Sequence, residues 1–326
     1  MFYKKNHFPV FLIFFISFFS FSLANAIEIP KNLKLSDSVK ACVSCHKNYI
    51  EEWLPTKHAM IFFNNPRNEL EERACEACHG DGKAHIVDSK AKARTDEKID
   101  LSLIRSFTKE SKLPASEKNA PCIGCHKSYV ATFWMGSSHE RNNISCVDCH
   151  QIIRKIKPIK KRGKDKRVLS EKINLKTELC VTCHVQRRAQ MQRSSHMPLR
   201  FGKLDCVSCH NPHGDKGPAQ LRQATVNENC YSCHAEKRGP MLWEHPPVRE
   251  NCNNCHDSHG SNNTKLLKQK SPYLCQSCHS APYHPGTIYE GASLANASKQ
   301  MVGRGCLNCH TMQHGSNHPS GARLTR

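Results

Sequence analysis

The sequence predicts a fold of short α-helices and loops, with little or no β-sheet and no single large core. Three observations predict it. The chain has 326 residues and 20 cysteines, and every cysteine falls inside a C-x-x-C-H pentapeptide. Hydrophobic residues make up 38% of the chain and aromatic residues 7%, too few for a chain of this length to build an ordinary core unaided. The pentapeptides also recur along the whole chain, leaving only short segments between them, as in a repeat architecture.

C-x-x-C-H is the attachment signature of c-type haem. Two thiols bond the two vinyl groups of one porphyrin, and the adjacent histidine reaches the iron from one face. A single match is compatible with chance or with half a zinc site. Ten matches that consume every cysteine are not. The attachment cysteines are Cys42 and Cys45, Cys75 and Cys78, Cys122 and Cys125, Cys146 and Cys149, Cys180 and Cys183, Cys206 and Cys209, Cys230 and Cys233, Cys252 and Cys255, Cys275 and Cys278, and Cys306 and Cys309. The proximal iron ligands are then His46, His79, His126, His150, His184, His210, His234, His256, His279 and His310. Ten haem c groups supply the apolar surface the side chains lack, so the helices and loops are expected to wrap around haems. The apoprotein is expected to be largely unfolded, as small metal-dependent domains are.

The N-terminus points to export. Lys4 and Lys5 precede a nearly unbroken apolar run from Phe8 to Leu23, and Ala24-Asn25-Ala26 follows. That pattern reads as a secretory signal peptide over residues 1–26, cleaved so that the mature chain starts at Ile27. The competing reading, an uncleaved anchor, fits the short run and the good cleavage site less well. Covalent haem attachment likewise takes place outside the cytoplasm.

The formal charge is +20 from 48 Lys and Arg against 28 Asp and Glu, or +18 without Lys4 and Lys5. Such a balance ordinarily raises nucleic acid as a partner. Here the haems change the sum. A ferric haem with ionised propionates carries about −1 and a ferrous one about −2, so ten bring the holoprotein to roughly +8 oxidised and roughly −2 reduced. The basic side chains mostly balance propionates, and no nucleic-acid partner is expected.

The motifs fall into five consecutive pairs. In four of them a lone histidine follows the first motif by 11 to 13 residues: His46 to His58, His126 to His139, His184 to His196, His234 to His245. Of 21 histidines, ten belong to motifs and His7 lies in the signal segment. The ten remaining are His58, His85, His139, His196, His213, His245, His259, His284, His314 and His318. Ten irons and ten spare histidines predict bis-histidine ligation throughout, with these as distal ligands and their pairing left open. A surface role is the better reading for any one such histidine alone, but the matching count and spacing favour ligation. Three residues of chain span at most about 10 Å, less than two imidazoles need across one iron. His213 and His259 must therefore serve haems other than those of His210 and His256, and ligation stitches neighbouring haems together.

Two stretches stand outside this grammar. Residues 88–118 are free of motifs and charge-mixed, with a short helix expected near Leu101–Thr108. Residues 154–167 carry nine basic side chains against Asp165. Such a run reads first as a solvated loop, and second as a docking patch for an acidic partner or anionic headgroups.

The run C-Y-S-C-H-A-E-K-R-G-P-M-L-W-E-H-P-P-V-R-E-N-C-N-N-C-H-D-S-H-G-S, from Cys230 to Ser261, resembles the MtrA/DmsE family of decahaem cytochromes. So does C-L-N-C-H-x-x-x-H-G-S-N-H-P-S-G from Cys306 to Gly321. The likeness extends over essentially the whole mature chain and is strongest from Cys180 onward. It implies an elongated protein of two pentahaem halves, residues 27–190 and 191–326. It also implies a periplasmic location at the outer membrane, inside a β-barrel partner that insulates the haem chain. The electron donor or acceptor would be an inner-membrane or periplasmic cytochrome, and an extracellular multihaem cytochrome or reductase is a further possible partner. The family usually has a histidine three residues after the fourth motif, where this chain has Ile153. That departure leaves the distal ligand of one haem in question.

Saturated irons exchange electrons but bind no substrate, whereas catalytic metal sites keep an open position. The expectation is an electron-transfer protein with no catalytic residues. It would conduct electrons between periplasm and exterior, for metal or dimethyl sulfoxide respiration or for inward iron oxidation. A soluble periplasmic shuttle without a barrel is the alternative, and a reductase with one high-spin haem a more distant one.

Overall fold

The C-x-x-C-H pentapeptide dictates its own local structure. A single helical turn brings residues i, i+3 and i+4 to one face, which for this motif are the two thiols and the imidazole. The computed structural model, which describes residues 36–95, 97–108, 110–153, 175–279 and 305–325, contains that turn at all ten motifs. In nine of them the histidine N–H donates to the carbonyl of the first cysteine, at 2.8 to 3.1 Å, as in His150 to Cys146 and His256 to Cys252. In the second motif the five residues Cys75–His79 are themselves a short helix. The signal segment, His284 and the basic stretch 154–167 lie outside the described residues.

Among the described residues there are short α- and 3-10 helices, a π-helical turn over Met60–Asn64 and only isolated antiparallel bridges, with no extended strand. No helix of the described residues is long and apolar enough to cross a membrane. The chain forms two compact units, one comprising residues up to Glu97 with Ile152 and Ile153, the other the rest.

In the first unit, α1 (Asp37–Cys45) starts at Ser36, whose hydroxyl accepts from the Val39 N–H, and ends in the first motif. Helix α2 (Lys47–Trp53) follows at once. Val39, Ile50, Trp53, Ala59 and Ala74 form the buried centre, and Phe62, Phe63, Cys75, Ile152 and Ile153 pack against it. Helices α3 (Cys75–His79) and α4 (Lys83–Lys92) complete the unit. Glu71, only 3% exposed, is held by the Arg67 guanidinium at 2.7 Å and by the Arg67 backbone N–H at 2.7 Å.

In the second unit, the expected helix near Leu101–Thr108 is a single 3-10 turn, Leu101–Leu103, capped by the Asp100 carboxylate. It ends because Ile104 adopts an extended backbone. The unit's regular helices include α5 (Ala115–Cys125), α6 (Tyr129–Trp134) and α7 (Val226–Tyr231). Buried Asn119 on α5 and Asn227 on α7 each stand three residues before a first cysteine, yet each accepts the N–H of the next motif's first cysteine. Cys146 N–H reaches Asn119 at 2.7 Å, and Cys252 N–H reaches Asn227 at 2.7 Å. These bonds clamp motifs together in twos.

Beyond the sixth and eighth motifs the chain makes a tight return. The Asn211 N–H donates to Gln220 and the Arg222 N–H to Cys209, while the Asp257 N–H donates to Leu266 and the Lys268 N–H to Cys255. The histidine-glycine pairs inside these returns approach other backbone closely. A Cβ on Gly214 would sit 2.1 Å from the Phe133 carbonyl oxygen, and one on Gly260 2.2 Å from that of Gln190. Both residues also have positive φ, which glycine alone adopts at no steric cost.

Candidate haem-ligand pairs

The first cysteines of paired motifs meet. Cys42 and Cys75, Cys122 and Cys146, Cys180 and Cys206, Cys230 and Cys252, and Cys275 and Cys306 are hydrogen-bonded thiol pairs. In the second unit the second cysteines link one pair to the next: Cys149 feels Cys180 and Cys183, Cys209 feels Cys233, and Cys255 feels Cys278. Eight motifs, from Cys122 to His310, thus follow one another in space in their order along the chain.

The histidines meet as well. His150 faces His213 with ring centres 5.7 Å apart and planes 16° from parallel. His46 and His85 stand at 6.3 Å, His210 and His259 at 6.1 Å, His245 and His279 at 6.1 Å, and His256 and His314 at 6.1 Å, all within 21° of parallel. His139 and His184 stand at 6.2 Å with planes at 64°. An imidazole bound through one nitrogen at about 2 Å has its ring centre about 3 Å from the metal, so two across one ion stand about 6 Å apart. The centroid separations of the six pairs match that distance. Each contains one motif histidine and one spare histidine.

Hydrogen bonds set the tautomers. Nδ1 of His139 donates to the Pro212 carbonyl at 2.8 Å, and Nδ1 of His245 to that of Gln313 at 3.0 Å. Nδ1 of His210 and His256 donate to Ala219 at 3.0 Å and Lys265 at 2.8 Å, and His310 donates to Arg323. A ring that spends its N–H this way presents a bare Nε2 to a metal, oriented and made more basic by the bond. Burial lowers the pKa of His46, His213, His259 and His314, which keeps them neutral and competent as ligands.

The pairs obey a register. His213, after the sixth motif, faces the fourth motif's His150. His259, after the eighth, faces His210 of the sixth, and His314, after the tenth, faces His256 of the eighth. Lone histidines reach the other way: His139, after the third motif, faces the fifth motif's His184, and His245, after the seventh, faces the ninth motif's His279. Carbonyl bonds lock the two directions together, since His139 is tied to the residue before His213 and His245 to the residue before His314.

Further histidines have other neighbours as well. The His58 ring lies by Phe62 and the His196 ring by Phe201, with His196 Nδ1 bonded to its neighbour's carbonyl. His318 accepts at Nδ1 from the Ser320 N–H, the reverse of the ligand-type tautomer. His79, His126 and His234 end further motifs. Asn119, Asn227 and Trp134, whose ring meets His213 at 6.3 Å, are supports that motif reading passes over. The recurrence of asparagine three residues before Cys122 and Cys230 is the signal that finds two of them.

Turns that carry two thiols and an imidazole, faced by second imidazoles, define a multihaem c-type cytochrome. The porphyrins supply redox chemistry, while the chain fixes their order, ligands and surroundings. Residues 74–151 match the family of cytochrome c554 and c-prime, and residues 196–239 and 245–282 match the doubled CXXCH motif. The chain is 38% identical over 292 residues to the multihaem cytochrome MtrA of Shewanella baltica strain OS185, covering 88% of this chain and 80% of that protein. It belongs to the MtrA family of multihaem cytochromes and is an electron-transfer protein.

Proposed function

We propose that the chain binds ten haems in sequence order and conducts electrons across the outer membrane inside a β-barrel partner. The attachment cysteines and proximal histidines are those of the ten motifs. The distal ligands are drawn from among the ten spare histidines, with His196 assigned by register to the haem of His234. The two pentahaem halves, 27–190 and 191–326, describe the haem count on either side of the chain's middle. The location is the periplasm at the outer membrane. A periplasmic or inner-membrane cytochrome exchanges electrons at one end, and an extracellular cytochrome or reductase at the other.

The observation that carries this reading is the unbroken succession of eight motifs, the cysteines of each pair lying near those of the next. Such an arrangement suits transport from end to end better than chemistry at one iron. The barrel partner is supported by family membership. Gentle detergent extraction of the outer membrane, pull-down of this protein and haem-stained gels test it. Co-purification of a large β-barrel protein is the expected result. Recovery only from soluble periplasm would overturn the conduit and leave a shuttle.

A further inference from the structure

Ile153 stands where the ligation register calls for an imidazole. Histidines that follow the even motifs reach back two motifs, as His213, His259 and His314 do. The fourth motif is also even. Its following residues are Gln151-Ile152-Ile153, against Asn211-Pro212-His213 and Asp257-Ser258-His259 after the sixth and eighth. The residue in the reaching position is Ile153, and two motifs back lies the haem of Cys75 and Cys78.

Packing agrees with the register. Ile152 and Ile153 lie against the cluster that contains Trp53, Ala59 and Ala74, with Cys75 at its edge. The same arrangement recurs in the second unit with histidine present. Trp134 precedes His139 by five residues, as Trp53 precedes His58, and the Trp134 ring meets His213. Ile153 is therefore to Trp53 what His213 is to Trp134. His58, the counterpart of His139, does not take its place, because lone histidines of that kind reach past the next motif. His85 already faces His46.

We propose that the haem attached at Cys75 and Cys78 presents an apolar distal face built around Ile153, and that its ferrous iron binds small neutral diatomic ligands there. An isoleucine offers no lone pair to the metal. The surrounding Trp53, Phe62, Phe63 and Ile152 exclude charged ligands, whose desolvation in an apolar site is costly. Binding is a simple dative bond from the ligand to Fe(II), with no electron transferred. This inference rests on the haem reading above and assigns one member of the series a second capacity.

Carbon monoxide is the probe, used on the whole haem-loaded protein. Mass spectrometry of the peptide spanning Cys75–His79 first establishes that the haem is attached; its absence there overturns the haem reading together with this proposal. With haem attached, the expected result is one high-spin ferric haem by electron paramagnetic resonance and one carbon monoxide bound per reduced chain. Ile153→His should abolish both signals, and Ile153→Leu should keep both. A wild-type protein that is wholly low-spin and binds no carbon monoxide would overturn the proposal, with His58 the first residue to test as the closing ligand. Signals that survive Ile153→His would place the open iron elsewhere and overturn it too.

Discussion

Asn227 stands three residues before Cys230, yet its side chain serves the other motif of the pair. Its amide oxygen accepts from the Cys252 N–H, and its NH2 group donates to the Val248 and Arg249 carbonyls at 2.9 and 3.0 Å. Asn227→Ala would leave these buried groups unsatisfied, at a cost of about 1–3 kcal/mol. Denaturant unfolding of the holoprotein, followed by haem absorbance, measures that loss. Glu71 makes a second residue-scale prediction. Hydrogen bonds from Arg67 hold its carboxyl below the usual range, so the folded chain takes up this proton less readily than the unfolded one. Its contribution is complete above the ordinary carboxyl pKa and disappears as pH falls through the lowered value. Melting temperature against pH should therefore fall on the acid side, and Arg67→Gln should flatten that fall.

At the scale of elements, the histidine-glycine returns place His213 and His259, the proposed distal ligands, by backbone contact. Gly214→Ala brings a methyl group onto the Phe133 carbonyl and forces a positive φ on alanine, a strain of about 1–2 kcal/mol before the clash is counted. It should displace His213 and raise carbon monoxide binding by one further ligand per chain, as should His213→Ala. The motifs and the number of spare histidines were legible in the sequence because covalent attachment and iron ligation demand particular residue types. The facing pairs were not. Chain length forbade His213 from serving its own motif, but only the folded return sets it against His150. The helix near Leu101–Thr108 was overestimated because its apolar pattern continues past Ile104 while the backbone there turns extended.

For the molecule as a whole, charge follows redox state. The ten proposed haems, each gaining an electron, would move the net charge by about ten units, from roughly +8 to roughly −2. Reduction should reverse the protein's electrophoretic migration near neutral pH; unchanged mobility would mean that protons enter with the electrons. The ligation register has a separate consequence, resembling a rope splice in which each strand is tucked back under turns already laid. His314 faces His256, and on the proposed ligation it would close that iron and not one in its own motif. Fraying the C-terminal end would leave the last haem's proximal bond in place and loosen one further in. On the proposed ligation an iron held by an early motif waits for a later segment of chain, so forms with open irons along the chain's length would precede the closed protein.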